Sequence, residues 1–218
     1  MKRLLVATHN AGKIREIAAL LGGSVEIETL LDHPELEAAE ETGATFAENA
    51  RMKAEHASRA LGIAALADDS GLVVDALDGA PGVRSARYAP GTDADRVTKL
   101  LRALHGVERE RRAARFVCAM AFSAPGAPTV ITEGIVEGRI ALAARGHGGF
   151  GYDPVFEVEG GTDEGGTDEG GTVEGRTKTM AELAPGRKNL ISHRARALEA
   201  MRPALLAHFS LVLGGRRP

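Results

Sequence analysis

Apolar residues fall along the chain in two rhythms. Short unbroken runs, such as residues 4–7 and 63–67, have the length and continuity of strands buried on both faces. Longer stretches with apolar residues three and four apart read as amphipathic helices. On this pattern residues 4–7 form a strand, 13–21 a helix stopped by Gly22-Gly23, and 25–29 a second strand. Thr45-Phe46-Ala47-Glu48 has the spacing of a capping box, in which each side chain accepts the other residue's backbone N–H. It opens a helix that reaches about Leu61, where Gly62 ends it. The strand at 63–67 is expected to stop at Asp68-Asp69-Ser70-Gly71, with 72–74 either continuing it or turning.

Residues 79–91 read as a loop punctuated by Pro81, Gly82, Pro90 and Gly91. A helix from Thr92 to about His105 follows. Strands at 114–123 and 129–142, separated by Pro125-Gly126-Ala127-Pro128, form an antiparallel hairpin. Beyond a glycine-rich loop come a strand at 155–158 and a final helix at about 191–209, which Pro203 should kink or break. Strands alternating with helices, plus a hairpin, define an α/β protein with a mixed sheet. One segment breaks the pattern: residues 160–175 repeat GGTDE, GGTDE, GGTVE, G. Without apolar residues to bury, it reads as a flexible surface loop. A calcium-binding acidic solenoid is disfavoured, because the apolar residue on which such repeats stack is missing.

Composition narrows the options further. The 218 residues carry a net charge of -3 and 44% hydrophobic residues, the profile of an ordinary globular chain. That charge supplies no electrostatic drive toward nucleic acid. The apolar stretch at the start is too short for a signal peptide or membrane span, so a cytoplasmic protein without membrane association is expected. The single cysteine, Cys118, excludes an internal disulfide and lies in the run 116–120, where a buried strand residue is expected.

Four clusters can carry chemistry. Thr8-His9-Asn10-Ala11-Gly12-Lys13 spans a strand-to-helix junction, where backbone N–H groups and the positive dipole end suit a phosphate. It lacks the Walker spacing, and Asn10 can equally serve as a plain helix cap. Asp68-Asp69-Ser70-Gly71 is either an acidic turn or a pair of oxygen donors for Mg²⁺ at a strand end, where α/β proteins bind ligands. Glu40-Glu41 either adds a metal ligand or forms a solvated loop. Residues 146–154 combine four glycines, which let backbone approach a ligand, with Phe150 and Tyr152, whose faces suit stacking on a base; a tight turn with an aromatic plug is the alternative. Ser192-His193-Arg194, with Lys188 just before it, opens the last helix, and Ser192 fits an N-cap.

Taken together and in order, these segments resemble the inosine triphosphate pyrophosphatase family. The family pattern Thr-x-Asn-x-x-Lys is matched by Thr8, Asn10 and Lys13, and Glu-Thr-Gly-x-Thr-Phe-x-Glu-Asn-Ala by residues 41–50. Ala-Asp-Asp-Ser-Gly-Leu stands at 67–72, and Gly-Ala-Pro-Gly-Val-x-Ser-Ala-Arg-Tyr at 79–88. Gly-Gly-Phe-Gly-Tyr-Asp-Pro stands at 148–154 and Ser-His-Arg at 192–194. The resemblance covers nearly the whole chain. It departs in the 160–175 repeat, where relatives have a shorter turn, and in Gly-His-Gly-Gly replacing the usual Gly-Thr-Gly-Gly at 146–149.

The resemblance implies one domain over 1–218, elongated and two-lobed around a central substrate cleft, usually a homodimer. It implies Mg²⁺-dependent hydrolysis of ITP, dITP and XTP to monophosphate and pyrophosphate, cleansing the nucleotide pool. Thr8, His9, Asn10, Ala11, Gly12, Lys13 and Ser70 would bind the triphosphate, with Asp69 as general base. Asp69 with Glu40 or Glu41 would hold Mg²⁺; Phe150, Gly151, Tyr152, Asp153, Lys188, His193 and Arg194 would form the base pocket. Water would attack the α-phosphorus in line. Lys188, His193 or Arg194 would donate to the C6 oxygen of hypoxanthine or xanthine, where adenine offers an amino group. The rival readings are a pyrophosphatase of other modified nucleotides and a non-catalytic nucleotide sensor.

Overall fold

The computed structural model describes residues 3–23, 25–37, 39–162 and 177–209. Its strands are β1 (Arg3–Val6), β2 (Glu26–Thr29), β3 (Ala65–Val74), β4 (Ala113–Ser123), β5 (Val130–Ile140), β6 (Phe156–Thr162) and β7 (Thr177–Thr179). They form one sheet in the order β2-β1-β3-β4-β5-β6-β7. β1 pairs in parallel with β2 and β3, whereas β6 runs antiparallel to β5 and β7, so the sheet is mixed and the class is α/β, as expected. The helices are α1 (Ala11–Leu21), α2 (Phe46–Leu61), α3 (Asp93–Ala103), α4 (Pro185–Ile191) and α5 (His193–Phe209). No helix among the described residues is long and apolar enough to cross a membrane.

Local chemistry sets the helix ends. The Asn10 side chain accepts from Lys13 N–H at the start of α1, and the capping boxes Thr45/Glu48 and Thr92/Asp95 open α2 and α3. Gly22 and Gly62 close α1 and α2 in the left-handed conformation.

Two expectations require correction. β3 does not stop at the acid pair but runs through it to Val74, so Asp68 and Asp69 are mid-strand residues. The final helix is found where expected, as α5, with Ser192 Oγ accepting from Ala195 N–H at its start, and the short α4 before it, ending at Ile191, is an additional helix. α5 also continues through Pro203 rather than breaking there. Its buried Leu198, Met201, Leu205 and Phe209 hold both sides of the proline to the core, offsetting a penalty of about 3 kcal/mol. Of the repeat at 160–175, residues 160–162 belong to β6, and the rest lies outside the described residues.

Two compact units emerge from the contacts. One comprises residues up to Ser70, Val117–Ile135 and those from Ile191; the other comprises Gly71–Phe116 and Val136–Leu190. In the first unit, strand alternation sorts the core into two layers. Leu4, Val6, Leu66, Cys118, Met120 and Phe122 pack with Ile17 of α1 and Met201 of α5. Leu5, Ala7, Ala65, Ala67, Ala119 and Ala121 pack with Ala50, Ala54 and Ala57 of α2. Continuing the alternation sends Asp68 to the α1/α5 face and Asp69 to the α2 face.

β5 meets the start of α5 at Gly134 without intervening side-chain volume. A Cβ there would lie 2.1 Å from the His193 carbonyl oxygen and 2.4 Å from Ala197 N, both backbone atoms that cannot swing aside. Gly134→Ala is therefore expected to destabilise by about 1–3 kcal/mol in chemical denaturation. Gly186→Ala in α4, which would meet nothing within 4 Å, should be neutral or slightly stabilising.

Candidate active site

In the first unit the chemistry is organised by the two faces of β3. On one face the fully buried Asp68 accepts through Oδ2 from Lys13, Arg194 and Ser70, with the Cys118 thiol at 3.9 Å. Lys13 Nζ lies at 3.0 Å, Arg194 Nη2 at 3.0 Å and Nε at 3.2 Å, and Ser70 Oγ at 3.1 Å. Arg194 also donates to Ser70 Oγ and pairs with Glu16 of α1. Burial alone would push the Asp68 carboxyl upward, but Lys13, Arg194 and Lys53 outweigh it and hold it well below the usual carboxylate range. Asp68 is thus a permanent anion. Its Oδ1 is buried and has no hydrogen-bond partner among the described residues.

Asp69, on the opposite face, sits in a different environment. Its Oδ2 accepts from Asn49 Nδ2 at 3.0 Å and its Oδ1 from Ser70 N–H at 3.1 Å. Asn49 Oδ1 accepts from Gly43 N–H at 2.8 Å, which orients the amide so that its NH₂ faces Asp69. Lys53 Nζ stands 3.6 Å from Asp69 Oδ1, 2.9 Å from Glu41 Oε1 and 2.7 Å from the Asp68 carbonyl oxygen. Burial raises the Asp69 carboxyl, and Lys53, Lys13 and the Asn49 bond only partly oppose it, so it remains above the usual range. Neighbouring acids on one strand are therefore electrostatically unlike: one is clamped as an anion, and the other is the more ready to take a proton.

The donor set suits a hard cation. Glu41 and Asp69 both turn a carboxylate oxygen toward the Lys53 ammonium, and Mg²⁺ characteristically takes one or two carboxylates with substrate phosphates completing its shell. Among the described residues no group of three or more His, Cys, Asp or Glu side chains is arranged to hold a metal ion by itself. Glu40, the other glutamate of interest, is exposed. Of the two, Glu41 is the one tied to Lys53 and thereby to Asp69.

The expected phosphate segment has the features of a helix start. Thr8 Oγ1 accepts from Asn10 N–H, Asn10 caps α1, Gly12 is buried, and His9 and Ala11 are exposed. His193 and Arg194 are buried in the first turn of α5. The Arg194 guanidinium contacts Asp68, Ser70 and Glu16.

The second unit brings together another part of the expected set. Asp153 Oδ2 accepts from Phe150 N–H at 2.8 Å and from Lys188 Nζ at 2.7 Å, and the same ammonium lies 4.9 Å from the Phe150 ring centroid. Gly149 makes this turn feasible: at φ +74° a Cβ would stand 2.0 Å from Asp153 Oδ2. Tyr152 differs from its expected role as an open stacking face. It is buried, and its hydroxyl donates to the Ser85 carbonyl oxygen at 2.9 Å.

Asn49 lies in the matched 41–50 stretch without an expected role there, and Lys53 and Glu16 lie outside the matched motifs, yet a signal exists. Asn49 and Lys53 are four residues apart beside the alanine stripe of α2, and so share the helix face that meets the sheet. Cys118 is the buried strand residue expected. Burial and the nearby Asp68 push its thiol up to about 12, so it is no nucleophile.

The fold and this site define an α/β protein whose sheet carries a carboxylate–lysine centre built from one strand and the helices on both of its faces. The chain belongs to the Ham1 family, whose model matches residues 4–204. It is 55% identical over 201 residues to a dITP/XTP pyrophosphatase of Geobacillus kaustophilus, covering 91% of each chain. It is 46% identical over 208 residues to one of Pseudomonas syringae pv. tomato, covering 94% of this chain and 98% of the other. Among solved structures, a HAM1 protein from Coxiella burnetii matches with TM-score 0.78 and 40% identity, covering 95% of this chain and all of the other. The Staphylococcus aureus Ham1 protein matches with TM-score 0.79 and 36% identity, with the same coverage.

Asp68→Asn would leave the buried Arg194 and the partly buried Lys13 without the Asp68 anion and should cost on the order of 3–5 kcal/mol in denaturant unfolding. A depressed carboxyl stabilises fully above its unfolded value, about 3.9, and loses that contribution as pH falls toward its folded value. The gap between wild type and variant should therefore stay flat above about pH 5 and shrink below about pH 4.

Proposed function

We propose that this protein hydrolyses non-standard purine nucleoside triphosphates, ITP, dITP and XTP, to the monophosphate and pyrophosphate. The observation that carries the chemistry is the unlike pair on β3: Asp69 held by Asn49 with Lys53 3.6 Å away on one face, and Asp68 paired with Lys13 and Arg194 on the other. Membership of the Ham1 family and the dITP/XTP pyrophosphatases among its relatives support the substrate class.

In this mechanism Asp69 orients a water and takes its proton as the water attacks the α-phosphorus in line with the departing pyrophosphate. Asn49 holds the Asp69 carboxylate in the orientation that keeps Oδ1 toward the Lys53 side. Lys13 and the N-terminal turn of α1, with Thr8, Asn10 and Ser70 around it, receive the triphosphate and balance the charge of the leaving group. Asp69 and Glu41 would hold Mg²⁺, which when bound neutralises the triphosphate and stabilises charge on the leaving oxygens. In the second unit Phe150 contacts the base, and Lys188, braced by Asp153, donates to the C6 oxygen. Adenine places an amino group there, leaving the lysine donor unmatched. The family resemblance extends the proposal to a cytoplasmic homodimer.

Incubation with ITP and Mg²⁺ should release pyrophosphate and IMP in equal amounts; orthophosphate without pyrophosphate would refute the reaction. Rates should rank ITP and XTP far above ATP. Asp69→Asn should lower kcat by about 10²–10⁴-fold, and a variant with intact turnover would remove Asp69 from the mechanism.

A further inference from the structure

The second unit contains a carboxylate for which the mechanism above has no use. Asp93 is the first residue of α3, and its Oδ2 accepts from the backbone N–H of Gly151 at 2.7 Å. Its Oδ1 receives Arg96 Nη2 at 2.5 Å, while Arg96 Nη1 donates to the Gly91 carbonyl oxygen. Arg96 therefore fixes the carboxylate from one side and leaves the other oxygen directed at the loop.

The loop atom it binds is significant. Phe150 lies between two peptide units, and each has its N–H on a carboxylate. The N–H of Phe150 itself goes to Asp153 Oδ2 at 2.8 Å, and the next N–H, that of Gly151, goes to Asp93 Oδ2. Pinning both peptide planes leaves the Phe150 Cα with neither φ nor ψ free, so the direction of its Cα–Cβ bond is set. Tyr152, two residues on, anchors the far side through its hydroxyl bond to Ser85, whose own Oγ accepts from Leu72 N–H. Asp153 also binds Lys188 and so belongs to the ligand-facing group, whereas Asp93 touches only the loop backbone and its own helix.

We infer that Asp93 is a positioning residue that aims Phe150 at the nucleobase, so that substrate affinity depends on a side-chain acceptor at the start of α3. This rests on the reading of Phe150 as a base contact. The bond is charge-assisted and half exposed, so its loss should weaken binding by up to about tenfold. An alternative role as a favourable negative charge at a helix N-terminus makes a different prediction, because asparagine would then fail as a substitute.

The test uses the full chain, Mg²⁺ and ITP, with Asp93→Ala, Asp93→Asn and Phe150→Ala. The protein has two tyrosines and no tryptophan, so 3-fluorotyrosine labelling gives one fluorine resonance for the loop, from Tyr152, and one for Tyr88. Tyr88 lies beneath Lys99 of α3 and reports whether that helix is intact. Asp93→Ala should shift the Tyr152 resonance, leave that of Tyr88 in place, and raise KM about tenfold with kcat within about twofold. Asp93→Asn, which keeps an acceptor for Gly151, should restore both readouts. The inference is overturned if Asp93→Asn behaves like Asp93→Ala, or if Asp93→Ala keeps a wild-type KM while Phe150→Ala raises it. If Phe150→Ala itself leaves KM unchanged, the base-contact reading fails, and the Tyr152 resonance alone decides whether Asp93 positions the loop.

Discussion

The ionised carboxylate of Asp68 is fully buried in the sheet interior, and much of the first unit is arranged around that fact. An isolated charge in such a place would cost several kcal/mol, so it persists only with cations in contact. Those cations come from α1 and α5, at positions 13 and 194, which makes one side chain the meeting point of three segments remote in sequence. Local helix preferences are overridden to achieve it. α5 opens with His193 and Arg194 and no acid in its first turn, contrary to the helix dipole, and Arg194 is tolerated there because Asp68 and Glu16 receive it.

The same constraint explains what could and could not be read from the sequence. Buried runs, capping boxes and glycine stops place β1, α1, α2 and α3 correctly, because each depends on neighbours within a few residues. β3 misleads for the opposite reason. Asp-Asp-Ser-Gly has turn chemistry locally, and only Lys13, Arg194, Asn49 and Lys53, supplied from elsewhere, allow it to remain extended. Pro203 misleads similarly, since the packing that carries α5 through it is tertiary. α4 is hidden by its Pro185-Gly186 opening, although proline is well tolerated at a helix start. In the site, the motif residues were visible, but the contrast between Asp68 and Asp69 required the strand to continue and place them on opposite faces.

Charge also organises the second unit around β6. The buried Glu157 accepts from Arg109 through one oxygen and from Arg145 through the other. Arg145 additionally donates to the Thr177 carbonyl oxygen and to Glu182. β6 and β7, which flank the remainder of the glycine–acid segment, are thus joined by the Arg145 and Glu157 bonds in addition to the pairing of Thr162, a repeat residue, with Thr177. Such an arrangement is compatible with expansion or contraction of that segment during evolution.

Much of the contact between α2 and the sheet is made of alanines on both sides, Ala50, Ala54 and Ala57 against Ala65, Ala67, Ala119 and Ala121, with Leu5 beside them. Alanine has no rotamers, so this layer acts as a spacer of fixed thickness rather than an adjustable packing. Asn49 and Lys53 ride on the same helix, and the height at which they stand over Asp69 is set by methyl groups that never touch it. A single added methylene in that layer would lift both groups together by a fraction of an ångström. Variation in turnover between close relatives can therefore arise at these inert positions, with every polar residue of the site left unchanged.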